Sequence, residues 1–322
     1  MSQLVQEIAE GIYCIETGLY RPGLAAAYLI RSGEELAFID TGPAQAISQL
    51  LEALNLLGLD AEQVAYVMPT HVHLDHAGAA GHLMAACPRA RLVVHPKGAA
   101  HLIDPAKLIA GASAVYGEEP FREVFGQPLP IPAERVIAAN DGQTFDLAGR
   151  HLTFIDTPGH ANHHGCFLDE DTRGIFSGDT FGIAYQAFHT TEGPWLFAPT
   201  TPVAFDPDAW LASLDKLMGH QPAAMYLTHY GRINRPAEWV DDLCESIAAL
   251  AQLALREASQ PEARREARLK EAVRNHLLAA IRSHGLALAE DEALELLRVD
   301  IELNAQGLEV WLKRRAKRAA VY

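Results

Sequence analysis

The segment Thr70-His71-Val72-His73-Leu74-Asp75-His76 places three imidazoles and a carboxylate within six residues. Both group types are metal donors, and together they offer several ligands in one small volume. A solvated, His-rich surface turn is the plain alternative. Three further stretches weigh against it: Asp156-Thr157-Pro158-Gly159-His160, Ser177-Gly178-Asp179 and Thr228-His229-Tyr230-Gly231 each set a His or Asp just beyond a short apolar run. Loops at the edge of a rigid sheet are where scaffolds present reactive groups.

The elements that must position these residues are legible as strand-length apolar runs bounded by turn residues. They cover 13–16, 27–30, 36–39, 64–68, 91–94, 151–155, 174–176 and 224–227. Helical patterns over 44–57, 77–86 and 207–218 lie between some of them, which predicts a mixed α/β domain with helix-covered sheets. From Pro236 the chain changes character. Residues 237–322 hold a single proline, Pro261, and carry Ala, Leu, Glu and Arg at helical spacing, so three or four amphipathic helices are expected. The reading is a mixed α/β domain over 1–235, which carries the candidate donors, and an α-helical C-terminal domain over 236–322.

Composition narrows the partners. The formal net charge is −15, with 49% hydrophobic and 21% charged residues, so disorder is excluded and broad binding to phosphate backbones is disfavoured. The one basic cluster, Lys313-Arg314-Arg315-Ala316-Lys317-Arg318, reads as solvated cations in a helix's last turns, where they complement its dipole. The first residues show no basic-then-apolar leader, and no stretch is apolar for long enough to cross a bilayer. Cys14, Cys87, Cys166 and Cys244 are far apart, as buried thiols of a reducing compartment would be. A cytoplasmic protein with a small-molecule substrate is expected, with neither nucleic acid nor membrane as partner.

Over residues 8–235 the chain resembles the metallo-β-lactamase superfamily of metallohydrolases, through Phe38-Ile39-Asp40-Thr41-Gly42, the H-x-H-x-D-H turn, the T-P-G-H loop, the S-G-D turn and the late T-H. That resemblance implies a four-layer αββα fold with a C-terminal helical extension. It also implies two divalent ions: His71, His73 and His160 on the first, Asp75, His76 and His229 on the second, and Asp179 bridging both. Five His and two Asp favour zinc and also suit iron or manganese. Such a pair of ions lowers the pKa of a shared water from about 16 toward 7, giving a bridging hydroxide. Asp75 and Asp179 are the implied catalytic carboxylates, Asp75 orienting the nucleophile or protonating a leaving group.

Asp40, at a strand end, is expected to accept a ligand imidazole's spare N–H. His164 matches a second histidine of glyoxalase-II-like members and is expected behind the ligands, with His163 as a neighbour. Within the superfamily, His73 argues against the flavodiiron branch and Asp179 against the exported β-lactamases. The expectation is a glyoxalase-II-like hydrolase of a thioester or carboxylic ester. A lactonase, a mononuclear iron dioxygenase of thiols or persulfides, and a non-catalytic metal-binding regulator are the alternatives. Residues 96–140 and the loop 185–201 are expected to shape the pocket, with Tyr185, Trp195 and Phe197 as an apolar wall. The C-terminal helices are expected to cover the site or to join two copies as a homodimer.

Overall fold

Residues Ala26–Ile30 are buried without a break, as in a strand covered on both faces. In the computed structural model, which describes residues 4–286 and 288–319, this strand lies inside a seven-stranded sheet. The sheet runs in chain order: β1 (Val5–Ala9), β2 (Ile12–Glu16), β3 (Ala26–Ser32), β4 (Glu35–Ile39), β5 (Val64–Met68), β6 (Arg91–Val94) and β7 (Val136–Ala138). The first four strands form an antiparallel meander, and β4 to β7 are parallel. Helices α1 (Ile47–Leu56), α2 (Leu74–Ala77), α3 (Ala80–Ala86), α4 (Pro96–Ile103), α5 (Ala106–Tyr116) and α6 (Glu118–Phe125) are interspersed.

A second sheet contains β8 (Thr144–Leu147), β9 (Arg150–Asp156), β10 (Gly165–Asp169), β11 (Gly174–Gly178), β12 (Ala224–Leu227) and β13 (Gly231–Asn234), in the order β13-β12-β11-β10-β9-β8. Side-chain alternation divides the apolar residues between two cores. Leu29, Phe38 and Val67 pack with Leu50 and Leu54 of α1 and Leu83 of α3. Tyr28, Ile39 and Met68 face the other way, joining Phe154, Phe167, Phe176 and Tyr226 of the second sheet. Each large apolar side chain so buried contributes about 1.5–3 kcal/mol. The product is a stack of helices, sheet and sheet, whose strand ends are rigid enough to hold a site.

Both sheets and α1–α6 belong to one compact unit that runs to Thr157 and resumes over His163–Gly178 and His220–Pro236. The other unit comprises Pro158–Asn162, Asp179–Gly219 and the chain from Ala237 onward. It holds α7 (Pro207–Gly219), α8 (Val240–Glu257), α9 (Glu262–Ser283), α10 (Glu290–Leu296) and α11 (Arg298–Ala319). Leu243, Ile247, Leu250 and Ala254 of α8, Leu269, Val273, Leu277 and Ile281 of α9, and Ile301, Ala305, Leu308 and Leu312 of α11 are buried, at the spacing of one apolar helix face. In the basic cluster near the chain's end, Lys313 pairs with Glu262 at 2.7 Å, and Lys317 and Arg318 are exposed.

Several expectations needed revision. The helix expected over 77–86 starts only at Ala80, as α3, with the single turn α2 before it, because the His76 carbonyl is taken by the Thr41 N–H at 2.6 Å, while Ala79 N–H bonds the Gly42 carbonyl. Residues 96–140 hold three helices and β7, with Pro96 opening α4 and Gly117 and Gly126, both at positive φ, closing α5 and α6. There Pro and Gly mark helix boundaries. Cys14, Cys87 and Cys166 are buried, whereas Cys244 is partly exposed. Burial pushes the Cys14 thiol up to about 12 and Cys87 to about 11, so both are inert.

Candidate metal centre

Strand β5 ends at Met68 and delivers Thr70 and His71 at its tip; His73 caps α2, whose single turn carries Asp75 and His76. The H-x-H-x-D-H spacing is therefore a strand end, a cap and a first helical turn, which turns successive donors toward one region. The ligand atoms of Asp75, His76 and His229, the last delivered by β12, lie within 4.8 Å of one another. His76 Nε2 stands 3.6 Å and His229 Nε2 3.3 Å from the same oxygen, Asp75 Oδ2. His71 and His76 are fully buried, while the Asp75 side chain keeps 26% of its surface in contact with solvent. His71 Nε2 and His73 Nδ1 face each other at 2.8 Å.

The orientation of each ring has an identifiable cause. Asp40, wholly buried and in the left-handed region at φ 55°, accepts from Thr70 N at 2.7 Å and from Thr228 Oγ1 at 2.6 Å, and meets His76 Nδ1 at 2.8 Å. One carboxylate thus ties together the ends of β4, β5 and β12. His229 Nδ1 bonds the Leu24 carbonyl at 2.7 Å. The loop that carries Leu24 is held by Glu16, whose carboxylate accepts from Gly18 N at 2.9 Å, Gly23 N at 2.7 Å and Tyr230 Oη at 3.3 Å. His164 is buried, stacks on His71 with ring centroids 4.7 Å apart, and is fixed by Thr157 Oγ1 at 2.9 Å. His163 lies 5.5 Å from His73, ring to ring.

Gly178 closes β11 at φ 48°, and a Cβ there would fall 2.5 Å from Thr70 Oγ1 and 2.6 Å from His164 Nε2. Only glycine admits both the backbone conformation and the close approach.

In the other unit, His160 Nε2 lies 3.3 Å from Asp179 Oδ2, and His160 Nδ1 bonds the Pro199 carbonyl at 2.8 Å. Both residues are buried. Trp210 of α7 anchors the neighbouring segments: its ring meets that of His160 edge-on at 5.6 Å, and its Nε1–H donates to the Thr180 carbonyl at 2.7 Å. Ser213, one turn on, donates to the Pro158 carbonyl at 2.7 Å. Tyr185, Trp195 and Phe197 are buried among themselves and Phe188; Trp195 stacks on Phe197 at 4.8 Å, and Tyr185 Oη donates to Asp300 Oδ1 at 3.0 Å.

His76, His229 and His160 share one pattern: Nδ1 is held by an oxygen and Nε2 is aimed at a carboxylate. Metal-binding histidines carry that arrangement because the oxygen partner fixes tautomer and ring direction. The residues present therefore fit a divalent metal. Sequence reasoning missed Trp210, Glu16 and Pro199, whose roles depend on long-range packing. It also missed His95, a buried imidazole on Asp156 at 3.0 Å, whose pKa burial lowers despite that carboxylate.

Comparison with known proteins agrees with this geometry. Residues 20–229 match the model of the Metallo-beta-lactamase superfamily, and the chain belongs to that superfamily. It is 31% identical over 153 residues to an atrochrysone carboxyl ACP thioesterase of Aspergillus fumigatus, covering 48% of this chain and 38% of that one. It is 27% identical over 195 residues to the acyl-coenzyme A thioesterase MBLAC2 of Bos taurus, covering 54% and 64%. The chain thus spans less than two-thirds of either thioesterase. The crystal structure of ST1585 from Sulfolobus tokodaii, an archaeal member of the superfamily, shares the fold with TM-score 0.63 at 24% identity, over 92% of this chain and 98% of that one. Among the described residues no helix is long and apolar enough to cross a membrane.

Proposed function

We propose that this chain is a metal-dependent hydrolase of thioesters. The observation that carries the metal half of the reading is the shared pattern of His76, His229 and His160. The thioester half is supported by the names of the two thioesterases to which the chain is similar.

In this reading, as the superfamily resemblance implies, His71, His73, His160 and Asp179 would hold one ion and Asp75, His76 and His229 a second. Zinc suits five imidazoles and two carboxylates. Divalent ions at such donors acidify water and polarise a carbonyl. The chain's own residues do the rest. Asp75, the partly exposed carboxylate, accepts a hydrogen bond from the attacking water, orients it and receives its proton at Oδ. Water adds to the acyl carbon and the C–S bond breaks, giving a carboxylate, a thiol and one released proton. Asp40 and the Leu24 and Pro199 carbonyls keep the imidazoles in register. His164, stacked behind His71, supports a glyoxalase-II-like branch. Tyr185, Trp195 and Phe197, expected as an apolar wall, are buried against one another and Phe188 as a small core, so the wall of a small-molecule pocket is not assigned to them. We assign catalysis to residues 1–235 and place the protein in the cytoplasm, with 236–322 as the proposed homodimer interface.

The test is zinc-loaded protein on matched thioester, ester and lactone substrates beside an Asp179→Asn control. Thioester turnover well above the control, and above the other two classes, is expected. Equal rates for protein and control on every substrate would overturn the reading.

A further inference from the structure

The last helix of the chain belongs, by sequence, to the appendage rather than to the metal motifs. Within one compact unit, however, three contacts connect it to a candidate ligand. His160 Nδ1 bonds the Pro199 carbonyl at 2.8 Å, so that carbonyl decides how the ring turns. The next residue, Thr200, is fully buried and donates both its N–H and its Oγ1–H to a single oxygen, Asn304 Oδ1 on α11, at 2.6 Å each. Gly307, three residues on, touches the same place: a Cβ there would fall 1.5 Å from the Thr200 carbonyl oxygen. A side chain at that position is incompatible with this backbone approach.

Asp300, Asn304 and Gly307 follow i, i+4, i+7 spacing and so share one face of α11. Asp300 accepts from Tyr185 Oη at 3.0 Å, and at the helix's far end Arg314 donates to the Val203 carbonyl at 2.8 Å. One helix face therefore grips the segment from Tyr185 to Val203 at successive points. Asn304 is its buried polar contact, 1% exposed, and satisfies both donors of Thr200 with one amide oxygen. A segment held only by apolar contacts would slide more freely than one pinned by two short hydrogen bonds of fixed direction.

We propose that Asn304 is a positioning residue for the metal centre: through Thr200 it sets the Pro199 carbonyl, and through that carbonyl the imidazole of His160. The helical extension is then part of the metal-binding apparatus. This inference rests on reading His160 as a ligand, and the experiment separates the two.

Zinc affinity of the full chain is measured by chelator competition, together with the visible spectrum of the cobalt(II)-loaded protein, for wild type, His160→Ala, Asn304→Ala, Asn304→Asp and Thr200→Val. Asn304→Ala is expected to weaken by about 10-fold the same ion that His160→Ala weakens, the low end of what losing a partner beyond the ligands costs, and to shift the cobalt bands. Asn304→Asp keeps an oxygen acceptor for both Thr200 donors and should restore affinity and spectrum toward wild type. Thr200→Val loses one donor and should fall between. Unchanged zinc affinity in Asn304→Ala, even with a lowered melting temperature, overturns the proposal, as does an Asp variant no better than Ala. If Asn304→Ala does not fold, unchanged affinity in Thr200→Val overturns it. A His160→Ala protein that binds zinc like wild type overturns the ligand assignment itself.

Discussion

The Asp75, His76 and His229 group and the His160 and Asp179 pair differ in one support, a buried carboxylate at a ring Nδ1, which only the first possesses. Behind the first stands a buried carboxylate, Asp40, which joins three strand ends and touches His76 directly. Behind the second stands a backbone carbonyl, Pro199, whose neighbour Thr200 is held by the neutral amide of Asn304, while the Trp210 indole meets the His160 ring edge-on. Hydrogen bonds to a charged group are roughly twice as strong as neutral ones. The sheet side is thus the stiffer clamp, and the helix side reaches its imidazole, His160, through one more intermediary. Substitutions should therefore cost more on the first side, and under the proposed two-ion reading each side should affect its own ion.

The largest effect is expected from Asp40→Ala. It strands Thr70, Thr228 and His76, buried partners that each lose a bond to a carboxylate, and should cost about 3 kcal/mol of stability or more. Zinc affinity at the His76 group should fall up to about 100-fold. Chemical denaturation and zinc competition check both, and a near-wild-type result would remove Asp40 as the hub. Gly178→Ala comes next: its Cβ would press on Thr70 Oγ1 and His164 Nε2 from a positive-φ position, for about 2 kcal/mol by denaturation. Glu16→Gln is milder, since an amide oxygen can replace only part of what two carboxylate oxygens do for Gly18, Gly23 and Tyr230. A loss of about 1 kcal/mol is expected, with a weakened His229 ion and an unaltered His160 ion.

The smallest expected effect concerns pH in the helical region. Burial lowers the pKa of His276, and Arg256 pushes it the same way. A folded pKa below the unfolded one means that the unfolded chain binds more protons, so this contribution is present above about 6.5 and is lost as pH falls toward the folded value. His276→Gln should flatten the decline in melting temperature between pH 7.5 and 5.5. An equal decline in the variant would remove His276 from the explanation.

How far all this was legible in the chain depended on the range of the contacts. The bounds of β5, β6 and β12 followed from apolar runs, and the candidate donor types from H-x-H-x-D-H, because both are local patterns. The C-terminal helices, expected as three or four from their apolar spacing, are four among the described residues. Strand β10 escaped, since Gly165–Asp169 is short and begins on glycine, and so did α4–α6, whose prolines and glycines interrupt the helical pattern. Asn304 gave no signal at all: it lies 104 residues from the Thr200 it holds, in a stretch whose pattern announces only an amphipathic helix.

Zinc titration of wild type, Asp40→Ala and Asn304→Ala, with bound metal counted at each step, tests the central claim most directly. The account predicts two zinc ions per wild-type chain, with Asp40→Ala weakening one and Asn304→Ala the other. A single ion in the wild type, or both variants weakening the same ion, would contradict it.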